Sequence, residues 1–154
     1  MSRFHIALKI LAHRRGRVLL LTRSGHRTVA PGAWDTPGGR IRFGETIEDA
    51  LAREVREELG PEVRFKVITI LNVWSFLPSR DQQIVGITFV GTLSGGAIAL
   101  SAEHARHRWV DTKEAIAALD RAAPLRRTLL MFQTWQRRNR RPTGQRLPVR
   151  LPTG

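Results

Sequence analysis

The chain of 154 residues contains no cysteine. That excludes a disulfide framework and a thiolate metal site, and it fits a reducing compartment. It has no stretch of 18 apolar residues, so no membrane-spanning helix and no membrane partner are expected. Its first residues, Met1-Ser-Arg-Phe-His5, lack the long apolar run of a secretory leader. No segment repeats itself. Lysine is scarce: the basic side chains are 23 Arg and 3 Lys. So strong a bias reflects genome base composition more readily than a selected nucleic-acid surface. Acidic residues are few, 13 against 26 Lys and Arg, and leave a formal net charge of +13. Such a surface attracts polyanions and speeds encounter with phosphorylated ligands. Length and composition together predict one soluble, cytoplasmic domain large enough for a real core, and leave open whether it is a monomer or homodimer.

The few acidic residues are not spread evenly. Seven of the 13 lie between Glu45 and Glu62, and six of these fall in the segment from Gly39 to Pro61. Thr46 with Asp49 three residues on resembles a capping box, with Asp in place of the usual Glu or Gln. Good helix formers then run to Leu59, and Gly60 suits a helix C-terminus. At about 100° per residue, Ile47, Ala50, Leu51 and Val55 form one apolar face. Glu54 and Glu58 fall inside that arc and Glu57 lies at its edge. Arg56, Asp49 and Ala52 point the other way. A purely solvated charge face would be separate from the apolar stripe. Carboxylates held near a core are paired, protonated or bound to metal. Clustered carboxylates repel one another, and oxygen-only ligands favour a hard divalent ion, Mg²⁺ first and Mn²⁺ second. The competing reading is an ordinary surface helix with pairs such as Arg53–Glu57.

The same segment resembles the signature of the Nudix (MutT-like) hydrolases: G, five residues, E, seven residues, R-E-apolar-x-E-E-x-G-apolar. Gly39, Glu45, Arg53, Glu54, Val55, Glu57, Glu58 and Gly60 stand at matching positions. The departure is Pro61, where an aliphatic residue is usual. Proline there affects how the chain leaves the helix, not the ligand set. The likeness extends to Trp34-Asp-Thr-Pro37-Gly38-Gly39 before the box and to Glu103-His104 and Arg108-Trp109-Val110 after it. It covers roughly residues 3 to 135.

The resemblance implies the reaction and the roles. Such enzymes cleave a nucleoside diphosphate linked to a group X, by water attack on phosphorus with metal ions on the phosphate oxygens. Glu54, Glu57 and Glu58 would ligate the metal, and Glu54 is the box candidate for activating water. The Gly38 backbone carbonyl would be a further ligand, where glycine lets backbone approach closely. Glu45 and Arg53 would form a bracing ion pair. Glu103, on a loop after a strand, would complete the metal site or serve as general base, with His104 assisting. Arg23 is a candidate for a substrate phosphate through its forked donors. Trp34 and Trp109 are base-stacking candidates, with core packing as the stronger alternative. Trp74 is a substrate-binding candidate. The segment Asn72–Ser79 partly echoes the S-Q-P-W-P-F-P-x-S array of NADH pyrophosphatases, with Trp74, Phe76 and Ser79 in place. The Gln and prolines of that array do not match, and the zinc region of that subfamily is absent.

Hydrophobic patterning predicts strands over Phe4–Leu11, Val18–Thr22, Val63–Trp74, Gln83–Leu93 and Arg108–Val110, with a short extended piece at Arg40–Phe43. Loops are expected at Ser24–Ala33 and Leu77–Gln82. Helices are expected from Thr112 to Leu119, capped by Asp111 or Thr112, and from Pro124 to about Arg138. This mixture lacks regular βαβ alternation and reads as α+β. The resemblance implies an α/β/α Nudix sandwich with a central mixed sheet. Residues 1–140 form the expected domain and residues 141–154 a basic, disordered tail. The favoured substrate is a nucleoside triphosphate. The alternatives are a dinucleotide of the NADH type, or a regulatory module whose basic tail holds nucleic acid.

Overall fold

In the computed structural model, which describes residues 3–25 and 30–139, the apolar N-terminal run becomes strand β1 (Arg3–Arg14). A turn at Arg15-Gly16 reverses the chain into β2 (Arg17–Arg23), with His13 opposite Val18. The short β3 (Trp34–Asp35) pairs antiparallel with the end of β2. Helix α1 (Ile47–Leu59) carries the acidic segment. Strands β4 (Val63–Ser79) and β5 (Gln82–Gly95) then form one long antiparallel hairpin. Strand β6 (His104–Asp111) returns to pair antiparallel with β2. Helices α2 (Thr112–Ala118) and α3 (Pro124–Asn139) close the described chain.

The strand order is β3-β2-β1-β5-β4, with β6 beside β2. β1 and β5 run parallel and the other pairs are antiparallel, which makes the sheet mixed. Side chains alternate between the faces of a strand. On one face, Leu8, Ile10, Leu19, Leu21 and Phe89 pack under Ala50, Leu51, Val55 and Leu59 of α1. On the other, Leu11, Val18, Leu20 and Val90 pack with Ala115 of α2 and Leu129 and Phe132 of α3. Two apolar layers therefore hold one sheet between helices, the α/β/α sandwich expected from the sequence.

The boundaries depart from the pattern in four places. The loop expected at Leu77–Gln82 shrinks to a turn at Arg80-Asp81, because β4 continues to Ser79. Among the described residues its one partner strand is β5, and the pairing shifts register between Phe76 and Ser79. A proline at position 78 is tolerated there, on an edge strand at an irregularity, for want of a ladder bond to break. The extended piece at Arg40–Phe43 makes one isolated bridge, Ala7 to Arg40. The strand expected at Arg108–Val110 starts earlier, at His104. Ile47, placed on the apolar face by helical phasing, lies in the first turn and is 40% exposed. The tail expected over residues 141–154 lies outside the described residues. No helix among the described residues is long and apolar enough to cross a membrane.

One further strand-like contact positions the site. Residues 37–41 lie along β1: Leu8 N–H donates to the Gly39 carbonyl, Ile10 N–H to Pro37 and Ile41 N–H to Ile6. The segment that leads into α1 is thus fixed to the middle of the sheet rather than left as a free loop.

Candidate active site

Helix α1 begins where Thr46 accepts the Asp49 amide at 3.1 Å, while its hydroxyl donates to the Asp49 carboxylate at 2.8 Å. The cap sets the helix phase, and the phase sets which carboxylates turn inward. Arg53 is buried in this helix, at 8% exposure. Its Nε and Nη2 donate to the two oxygens of Glu45 at 2.6 and 2.9 Å. Its Nη1 donates to Glu54 at 2.6 Å and reaches Glu57 at 3.3 Å. Nη2 also bonds the Arg40 carbonyl at 3.1 Å. One guanidinium therefore gathers three carboxylates and the loop before the helix. The Arg53 hydrogen bonds, with help from the Arg42 amide, pull the Glu45 carboxyl down to about 2. The same bonds outweigh burial at Arg53 and raise its pKa, so it stays charged.

A second polar chain starts at the buried end of the helix. Glu58 accepts the Gly38 amide at 2.7 Å. Burial pushes its carboxyl up to about 7, against the opposing pull of Lys9 and of that amide. The Gly38 carbonyl accepts from Lys9 Nζ at 2.9 Å. Lys9 also donates to the Thr36 carbonyl and to Asp35, both at 3.0 Å. Asp35 is bonded in turn by Arg23 Nη1 at 3.0 Å. Burial alone would raise the Asp35 carboxyl, but Lys9, the Thr36 amide and Arg23 together hold it below its ordinary value. Glycine is required at one position of this stretch and leaves room for a carboxylate at the next. Gly38 has φ +126° and a Cβ there would lie 2.1 Å from the Leu8 carbonyl oxygen. A Cβ on Gly39 would meet the Glu54 carboxyl at 2.5–2.6 Å.

The segment before β6 comes to the same place. Ala99 N–H donates to the Leu59 carbonyl and Ser101 N–H to that of Glu58. Ser24 grips the segment from the other side, donating its amide to the Glu103 carbonyl and its hydroxyl to that of Ala102. His104 is buried, with Nε2 at 4.0 Å from Glu58, and burial lowers its pKa. Glu103 is exposed beside it.

The structure therefore places Arg23, Gly38, Glu45, Arg53, Glu54, Glu57, Glu58 and Glu103 around one region. Trp74 stands apart from them on β4. Its Nε1–H bonds Thr88 Oγ1 at 3.0 Å, its ring lies against Gly86, and it stacks on Phe76 at 6.0 Å. Trp34 packs against the α3-side core, and Trp109 against the α1-side core under Arg14 at 4.1 Å. Two residues of the site were given no role in the sequence reading, Lys9 and Asp35. A signal for Lys9 existed. It is a lysine in an arginine-rich chain, set between Leu8 and Ile10 of an apolar strand.

Among the described residues, no three His, Cys, Asp or Glu side chains converge as a ready-made metal cage. The reason is visible: Arg53 lies between Glu54 and Glu57, and Glu58 is turned to the Gly38 amide.

The chain is similar to known proteins along most of its length. The family model described as NUDIX domain matches residues 3–132. The nucleoside triphosphatase NudI of Salmonella agona is 32% identical over 124 residues, covering 75% of this chain and 87% of that protein. The MutT protein from Methanosarcina mazei Go1 superposes with a TM-score of 0.71 at 27% identity, covering 91% of this chain and 98% of that one. The MutT NUDIX hydrolase from Burkholderia pseudomallei shares the fold, with a TM-score of 0.70 at 23% identity over 84% of this chain and 98% of its own.

Proposed function

This chain belongs to the NUDIX domain family of hydrolases, and we propose that it is a Mg²⁺-dependent pyrophosphohydrolase acting on a nucleoside triphosphate. One observation carries the reading. Glu54 and Glu57 both lie within reach of a single guanidinium nitrogen, with Glu58 buried beside them. Such a group is built to be neutralised by a cation.

The donor set fits a hard divalent ion, since every candidate ligand is oxygen. Glu54, Glu57 and Glu58 would hold it, and the missing Cβ of Gly39 leaves the Glu54 carboxyl its room. Mn²⁺ suits the same ligands. The bound ion supplies charge neutralisation on the phosphate oxygens. The chain's own groups do the rest. A carboxylate, Glu54 or Glu103, takes a proton from water. The water oxygen bonds to phosphorus, and the bond from phosphorus to the bridging oxygen breaks. The products are a nucleoside monophosphate and pyrophosphate. Arg23, held by Asp35 at one nitrogen, is oriented to meet a phosphate oxygen with the rest of its fork.

Triphosphate is favoured over dinucleotide because the relatives sharing 32% identity are named nucleoside triphosphatases. A panel of triphosphates, dinucleotides and nucleotide sugars, incubated with Mg²⁺ and with Mn²⁺, tests the reading. Monophosphate and pyrophosphate are expected from a triphosphate. Cleavage of dinucleotides alone would replace the substrate. No product from any compound at high enzyme would sink the proposal.

A further inference from the structure

Lys9 is unusual before its contacts are considered, because the chain has 3 Lys against 23 Arg. Its side chain is 18% exposed. An ammonium group has three hydrogens to donate. Around Nζ lie both Asp35 oxygens at 3.0 Å, the Thr36 carbonyl at 3.0 Å and the Gly38 carbonyl at 2.9 Å. Four oxygens, two of them backbone carbonyls, make the kind of cage that holds a hard cation. Here the cage is filled by a side chain.

That cage adjoins the α1 carboxylates. The peptide unit that begins at Gly38 and the one that ends there face opposite charges: Gly38 N–H serves Glu58 and Gly38 C=O serves Lys9. Gly39 touches the Glu54 carboxyl. A cation held by Glu54 and Glu58 is therefore a neighbour of the Gly38 carbonyl. That carbonyl already carries a positive charge, and a second cation on it would be repelled at short range.

We propose that Lys9 is a resident cation of the reaction centre: it holds the Gly38 carbonyl where a metal ion would otherwise sit and confines the divalent ion to the α1 carboxylates. This deepens the function proposed above and rests on its reading that those carboxylates bind metal. Lys9 acts as a positioning residue. It pins Asp35, Thr36 and Gly38, and its three hydrogens are engaged by the protein, so it is not the group that meets substrate phosphate.

The test is the number of Mn²⁺ ions bound by the full-length protein without nucleotide, read from the electron paramagnetic resonance of free Mn²⁺. Lys9→Met keeps the length of the side chain and removes its charge. The variant is expected to bind one more ion per chain than the unmutated protein. Adding Asp35→Asn to it should abolish the extra ion. Equal stoichiometry in the unmutated and Lys9→Met proteins overturns the proposal, because a merely structural lysine would change the melting temperature and not the metal count. If Lys9→Met does not fold, Mn²⁺ anomalous scattering from crystals of the unmutated protein decides. A peak at the α1 carboxylates with Lys9 still on the Gly38 carbonyl supports the proposal. A peak about 2.1 Å from that carbonyl, the hard-ion distance, with the ammonium displaced overturns it and leaves the metal reading standing. No bound Mn²⁺ anywhere overturns both.

Discussion

Glu57 and Glu58 are neighbours in sequence, and the structure gives them opposite surroundings. Glu57 is 48% exposed and shares Arg53 Nη1 with Glu54, with Arg42 at 3.6 Å on its other side. Glu58 is 8% exposed and its partner is a backbone amide. The same contrast appears at the ends of the acidic segment. Hydrogen bonds from Arg53 and the Arg42 amide pull Glu45 down to about 2, whereas burial pushes Glu58 up to about 7. One end of the site is thus a set of charged carboxylates held by a guanidinium. The other is a desolvated carboxylate close to neutral pH. A helix can present both because 100° of rotation separates one residue from the next. The lesson is that the signature spacing sorts carboxylates by environment as well as collecting them.

The comparison breaks first at its charged end. Glu57→Gln keeps the size and one acceptor oxygen but removes a ligand charge. Turnover of a cleaved triphosphate should fall on the order of 10³-fold, with folding unchanged by circular dichroism. Unchanged turnover would remove Glu57 from the metal site. Arg53→Met is expected to act on stability instead. It strands Glu45 and Glu54, whose side chains are 19% and 14% exposed. Removing the shared partner of these carboxylates destabilises the fold, to be read as a lower midpoint in urea denaturation. Arg53→Lys should recover little of that loss, because Nε, Nη1 and Nη2 each serve a different acceptor and an ammonium cannot. Full recovery by lysine would mean that charge alone, without the fork, organises this end.

How much of this was legible in the sequence follows from how local each contact is. The cap at Thr46, the inward turn of Glu54 and Glu58 and the edge position of Glu57 depend on helical period within 13 residues, and phasing reads them. The α+β mixture was legible from strand and helix patterns, whereas the mixed sheet followed from the family resemblance. Lys9 meets Asp35 and Gly38 across 26 and 29 positions of sequence, because residues 37–41 happen to lie along β1. No local period encodes that register. The same holds for His104, which reaches Glu58 only because residues 99–101 bond to the end of α1. β4 was read only to Trp74 and runs to Ser79, where Pro78 is tolerated because the strand lies at the sheet edge.

The two ends should also separate by pH, in metal-free protein held in chelator. Glu58 has an ordinary value of 4.5 and a folded value of about 7. The folded chain therefore holds this proton more tightly than the unfolded one, so protonation favours folding. Stability is full below the unfolded value and falls as pH rises through the folded one, by about 3 kcal/mol in all. Glu58→Gln should flatten that neutral limb in urea melts taken from about pH 5 to about pH 8. Parallel curves for the variant and the unmutated protein would show that the burial of Glu58 costs nothing. Glu45 runs the other way and is the smallest effect. Its folded value of about 2 lies below the ordinary 4.5, so its contribution is present above the ordinary value and lost as pH falls through the folded one. Glu45→Gln should leave the neutral limb as it is and flatten only the acid limb. A change in the neutral limb instead would mean that the guanidinium and the buried carboxylate titrate as one unit, and the division between the two ends of the site would not hold.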